Sequence, residues 1–164
     1  MAVSMEQAVA TLRDILESSE LRYIYDDENI AFMLNFSLRK AKLSSVRIVV
    51  RVVPDRRNPD ECMRISSHGI IGIKADDDCM AEMAEFLHRA NYGMIFGCFE
   101  LDYRDGEIRF RTAINCVDFL PGSDAIEDLW GLPAMMAERY GNGILAVSMG
   151  LLSAEEAIER IEGE

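Results

Sequence analysis

The chain has 164 residues, 49% hydrophobic and 28% charged, with 17 Lys and Arg against 29 Asp and Glu for a net charge of −12. That length and composition predict one globular domain over residues 1–164, with enough buried surface for a core that needs no metal or disulfide staple. So acidic an exterior repels phosphate backbones and anionic headgroups, which sets nucleic acid and membranes aside as expected partners.

The opening Met1-Ala2-Val3-Ser4-Met5-Glu6 has neither a basic segment nor an apolar core, so no signal peptide is expected. The first element is a helix. Ser4 and Gln7 have the spacing of a capping box, and Met5, Val9, Leu12 and Ile15/Leu16 follow as one apolar stripe, read as core. Strands are predicted at Arg22–Tyr25 and Ile30–Leu38, on either side of the turn-forming Asp26-Asp27-Glu28-Asn29. Val46–Val53 is the clearest strand. Arg47 and Arg51 fall on one face, with Val46, Ile48, Val50 and Val52 on the other. A loop from Pro54 to Pro59 leads to a fourth strand, Glu61–Ser67, and His68-Gly69 reads as the start of a loop.

Asp76-Asp77-Asp78 reads as the opening of a second helix, where carboxylates favour the positive end of the helix dipole. Met80, Met83, Ala84 and Leu87 form its stripe, and Asn91-Tyr92-Gly93 ends it. Phe99–Thr112 predicts a hairpin with Asp105-Gly106 as a two-residue turn. That register sets Leu101 opposite Phe110, Tyr103 opposite Ile108, Asp102 opposite Arg109 and Glu100 opposite Arg111. Asp124–Trp130 then reads as a short helix that Gly131 breaks, with Pro133 starting the next. That helix carries Met136, Tyr140, Ile144 and Val147, and Ser153-Ala154-Glu155-Glu156 caps a final one through Ile161. The longest uncharged stretch, Tyr140–Ala154, is shorter than the roughly 20 residues a membrane span requires.

The predicted fold class is therefore α+β, with antiparallel sheet flanked by helices in the order α-β-β-β-β-α-β-β-α-α. Three segments give the chain a resemblance to the YbjN-like family. They are Leu87-His88-Arg89-Ala90-Asn91, Phe96-Gly97-Cys98-Phe99-Glu100-Leu101-Asp102 and Gly106-Glu107-Ile108-Arg109-Phe110. The Tyr140–Ile158 region, with Ser153-Ala154-Glu155-Glu156-Ala157, is similar too, so the resemblance spans most of residues 4–160. The family consists of candidate bacterial sensory transduction regulators whose fold resembles the type III secretion chaperones. It implies a non-enzymatic regulator or chaperone-like binding module, and it supplies no catalytic residues.

The residues themselves agree with that expectation. Cys62, Cys79, Cys98 and Cys116 are too widely spaced for half a zinc site, so reduced, metal-free thiols are expected. Neither His68 nor His88 is flanked by a nucleophile motif, and no glycine-rich loop continues into a Lys-Ser or Lys-Thr pair. No enzyme activity and no cofactor are expected, and reduced thiols without an export signal point to the cytoplasm. One asymmetry stands out. Residues 39–64 hold Arg39, Lys40, Lys42, Arg47, Arg51, Arg56, Arg57 and Arg64 against Asp55, Asp60 and Glu61. The segment is thus +5, which leaves −17 on the rest of the chain. Either neighbouring acidic helices neutralise it, or Arg47, Arg51, Arg56 and Arg57 form a docking face for an acidic protein partner or a second copy. The expected function is a cytoplasmic regulatory or adaptor protein binding another polypeptide. The alternative is a small-molecule sensor with its pocket between sheet and helices.

Overall fold

Alternation along Val46–Val53 has its direct counterpart in space. Strand β3 (Ser45–Pro54) buries Val46, Ile48, Val50 and Val52 and leaves Arg47 and Arg51 exposed. In this computed structural model, which describes residues 2–163, β3 sits inside a six-stranded antiparallel sheet. Its companions are β1 (Tyr23–Asp26), β2 (Ala31–Ser37), β4 (Cys62–Lys74), β5 (Cys98–Leu101) and β6 (Glu107–Asn115), in the spatial order β1-β2-β3-β4-β6-β5. Helix α1 (Met5–Ser18) precedes the strands, and α2 (Met80–Asn91) links β4 to β5. The long α3 (Ser123–Ser148) and short α4 (Ala154–Glu162) close the chain. The predicted element order is the observed one.

All the helices lie on one side of the sheet. Helices α1, α2 and α3 pack on the strands, and α4 packs on α2 and α3. Phe32, Phe86, Phe110, Leu12, Leu16, Ile48 and Ile144 fill the space between, each fully buried. Both predicted capping boxes are present, at Ser4 with Gln7 and at Ser153 with Glu156. Asn91 ties the end of α2 to β5, its side chain donating to the Phe99 carbonyl at 3.0 Å and accepting from the Phe99 N–H at 2.7 Å. The amide thus stands in for a strand partner.

Four readings of the sequence need correction. First, the hairpin register is shifted by two: Leu101 faces Ile108, Phe99 faces Phe110, Glu100 faces Arg109 and Cys98 faces Arg111. The turn is longer, with Asp102 N–H donating to Glu107 O and Gly106 N–H to Asp102 O. The end of β4 fixes it there. Ala75 N–H donates to Gly106 O at 2.9 Å, and a Cβ on Gly106, whose φ is +73°, would fall 1.8 Å from Ala75 O. A shift of two preserves which face each side chain occupies.

Second, β4 runs on to Lys74, so His68 and Gly69 are strand residues rather than a loop. Third, α3 is continuous through Gly131 and Pro133. These two errors have one cause: α3 crosses the sheet with the Pro133 ring pressed on Gly69, where an added Cβ would approach Pro133 Cβ to 2.6 Å. The glycine is there for the helix, and that packing offsets the hydrogen bond a helical proline forfeits. Fourth, α2 starts at Met80, and Asp76 caps the preceding turn by accepting from Cys79 N–H at 3.1 Å.

Candidate functional site

A sheet with helices on one side only leaves its other side bare. The strand registers arrange that bare side in rows across the strands. The central row takes one residue from every strand: Ile24, Met33, Val49, His68, Arg111 and Cys98. On one flank lie Asp26, Ala31, Arg51, Ser66 and Ala113, and on the other Asn35, Arg47, Ile70, Arg109 and Glu100. Arg64, opposite both Val53 and Asn115, extends the basic side chains toward one end. Directly opposed Cβ atoms in such a ladder are about 5 Å apart and diagonal ones about 7–8 Å. Four arginines therefore surround His68, two from β3 and two from β6.

Their electrostatics differ by strand. Glu100 serves both β6 arginines, accepting from Arg109 Nε at 2.7 Å and from Arg111 Nε at 2.6 Å. Burial pushes its carboxyl up, but the hydrogen bonds from Arg111 and Arg109 outweigh this and hold it below the ordinary glutamate value. His68 is pushed down, first by its burial and then by Arg109, Arg51 and Arg111, so the imidazole is neutral at neutral pH. The β3 arginines form no ion pair, although Asp26, across Ala31 in the same row as Arg51, has its carboxyl held low by hydrogen bonds from Asn29 and, in smaller part, by nearby Arg51. Among the described residues, none of the eight bases between Arg39 and Arg64 forms an ion pair. Internal neutralisation, one of the two readings of this segment, does not occur through direct pairing.

The four arginines singled out from sequence are only partly brought together. Arg47 and Arg51 share the bare face, while Arg56 and Arg57 lie exposed in the β3–β4 loop, where Arg57 N–H donates to Asp55 Oδ1 at 2.7 Å. The residues that complete the site, His68, Arg109 and Arg111, were not predicted as part of it. The signal for His68 was the alternation of Arg64, Ser66, His68 and Ile70 with Ile65, Ser67, Gly69 and Ile71, and that for Arg109 and Arg111 their alternation with Ile108, Phe110 and Thr112. His88 is exposed on α2. The cysteines are free: Cys62 and Cys116 are buried, their thiols donating to Arg64 O and Ile114 O, Cys79 is buried, and Cys98 borders the basic face.

Clefts lie at the margins of the helix layer. One of about 450 Å³ lies between the α2–β5 loop and α3, lined by Tyr92, Ile95, Phe96 and Tyr140 among others. Another of about 460 Å³ lies between α1 and the β1 edge. The basic loop 39–42 is pinned to α3. The Glu138 carboxylate accepts from the N–H groups of Arg39, Lys40 and Ala41, and Asn142 Oδ1 accepts from Lys42 N–H at 2.7 Å. Burial pushes the Glu138 carboxyl up, but the three backbone donors more than compensate and hold it low.

No family model and no curated protein matches this chain. Among solved structures it is similar to YbjN, a candidate transcription regulator from E. coli, with a TM-score of 0.53 and 11% sequence identity. The match covers 81% of this chain and 92% of that one. The fold is YbjN-like, as the resemblance in sequence implied.

Proposed function

We propose that this chain is a non-enzymatic, cytoplasmic regulatory or adaptor protein that docks another polypeptide on the helix-free face of its sheet. The observation that carries the reading is the content of that face: apolar Ile24, Met33 and Val49 side by side, bordered by Arg47 and Arg51, neither of which forms an ion pair among the described residues. Apolar contacts supply binding free energy and unpaired charges supply orientation and partner choice, so recognition of a protein surface is the chemistry these side chains fit. The description of YbjN as a candidate transcription regulator supports the regulatory half of the reading. The filled space between sheet and helices weighs against the alternative of a small molecule held there.

The test compares proteins retained from cells of the source by the wild-type chain and by an Arg47→Glu/Arg51→Glu variant. A partner held by the first and lost by the second at physiological salt is the expected result. Identical sets of retained proteins would overturn it.

A further inference from the structure

Arg47 and Arg51 lie four residues apart on one face of β3, which separates them by about 13 Å along the strand. Between them is Val49, continued across the neighbouring strands by Met33 and Ile24 on one side and His68 on the other. The result is an apolar trough with a cation on each bank, and with Asp26 beyond Arg51 at the β1 end of one of them. We infer that this trough accepts an acid-rich segment, with apolar side chains between its carboxylates, from a different polypeptide. The inference rests on the docking reading above and gives the partner its chemistry.

Charge complementarity selects the carboxylates. Arg47, Arg51 and Arg64 have no ion-pair partner among the described residues, whereas Arg109 and Arg111 share Glu100. Guanidinium groups on both banks match carboxylates bidentately, and a partner's apolar side chains cover Val49 and Met33. Ile24, 68% exposed, lies open at the β1 end of the trough.

Geometry argues against the other occupants. Two copies joined face to face about a two-fold axis through this trough would set Arg47 and Arg51 against their own kind. A copy offering its acidic helices to this face makes a head-to-tail contact that does not close, and so builds chains rather than a dimer. Single-stranded nucleic acid is bound by stacking bases on aromatic rings along a basic groove. None of the residues in the rows described above is Phe, Tyr or Trp.

Three changes to the face and one panel of probes test the inference. The main probe is a fluorescent peptide of repeated Asp-Glu-Leu, followed by anisotropy, with a repeated Ser-Thr-Leu peptide and a single-stranded oligonucleotide as comparisons. The wild-type chain is expected to bind the acidic peptide, and more weakly as salt rises. Arg47→Glu/Arg51→Glu is expected to weaken it about tenfold or more, equivalent to about 1.4 kcal/mol. Arg47→Gln/Arg51→Gln keeps the test valid if the reversal perturbs the fold. Glu100→Gln, which frees Arg109 and Arg111 from their internal counter-ion, is expected to tighten binding, a gain that mere structural damage would not produce.

Absence of binding, equal binding of the Ser-Thr-Leu peptide, or indifference to the arginine changes would each overturn the inference. Tighter binding of the oligonucleotide would reassign the face to nucleic acid. A wild-type oligomer in light scattering that Arg47→Glu/Arg51→Glu dissociates would reassign it to self-association. If a cellular partner depends on Arg47 and Arg51 while the acidic peptide does not bind, docking stands and the acidic chemistry falls.

Discussion

Gly69 shows how one residue sets the distance between two layers. It sits on the core face of β4 beneath Pro133, and the missing side chain is what lets α3 lie so close to the sheet. Gly69→Ala would place a methyl 2.6 Å from Pro133 Cβ, backbone against a rigid ring with no flexible tip to move aside. Overpacking of this kind costs about 1–3 kcal/mol, so the variant is expected to unfold at clearly lower urea. Unchanged stability would mean that α3 can lift without loss. From sequence, Gly69 looked like a turn signal because a glycine after histidine between apolar runs reads as a break. The constraint comes from a residue 64 positions away along the chain, between Gly69 and Pro133. Arg47 and Arg51, in contrast, were legible as exposed and co-facial, because period-two alternation needs no distant partner. Arg111 was legible as a partner of Glu100, while Arg109 was matched to Asp102 by the shifted register. Neither was legible as a neighbour of His68, because strand order is a tertiary fact.

Capping boxes are local, and both were read correctly for that reason, unlike the carboxylate cap assigned to α2. Ser153 accepts from Glu156 N–H at 3.2 Å, while Glu156 accepts from Ser153 N–H at 2.9 Å. A second carboxylate, Glu82 from α2, accepts from the Ala154 N–H. With three of its first N–H groups held this way, α4 (Ala154–Glu162) is stable despite its length. Ser153→Ala is expected to cost about 1 kcal/mol in urea unfolding. A loss near zero would show that Glu82 alone is sufficient. Hairpins are less local than they look. Asp105-Gly106 named the turn region, but the contact with Ala75 chose the loop, and nothing between Phe99 and Thr112 encodes Ala75. Likewise the break placed at Gly131 rested on local propensity, which the packing of Leu129, Trp130 and Pro133 overrides in a helix buried along one side.

Across the whole molecule, the four helices are each net acidic, whereas the bare sheet face gathers Arg47, Arg51, Arg64, Arg109 and Arg111 against Asp26 and Glu100. The internal counter-ion of that face, Glu100, makes acid stability a measure of it. Its carboxyl titrates below the ordinary 4.5 once folded, despite the burial that opposes this, because Arg111 and Arg109 donate to the charged form. A carboxyl lowered by folding contributes stability that is fully present above its unfolded value and is lost as pH falls through the folded one. Urea midpoints of the wild type are therefore expected to fall between about pH 5 and pH 3, and Glu100→Gln is expected to flatten part of that fall. Parallel acid limbs for the two proteins would show that Glu100 gains nothing from its arginines. Arg47 and Arg51 could be anticipated as a basic pair within the +5 segment, yet their placement on a helix-free surface required the sheet to be built.

The clasp of Glu138 on the loop after β2 has a consequence for how the protein withstands digestion. Arg39, Lys40 and Lys42 are three exposed cleavage points for a trypsin-like protease, adjoining in the sequence. A protease must draw the chain out into its own cleft before cutting, and exposed loops that can be drawn out are where nicking concentrates. Here the N–H groups of residues 39 to 42 are already engaged by α3, so the segment cannot be pulled free without breaking the clasp. Glu138→Gln, which removes the negative charge from the acceptor, is expected to turn a resistant loop into the first site nicked, releasing a fragment that ends within residues 39–42. Digestion of the native variant at the wild-type rate would show that the loop is shielded by something other than one carboxylate.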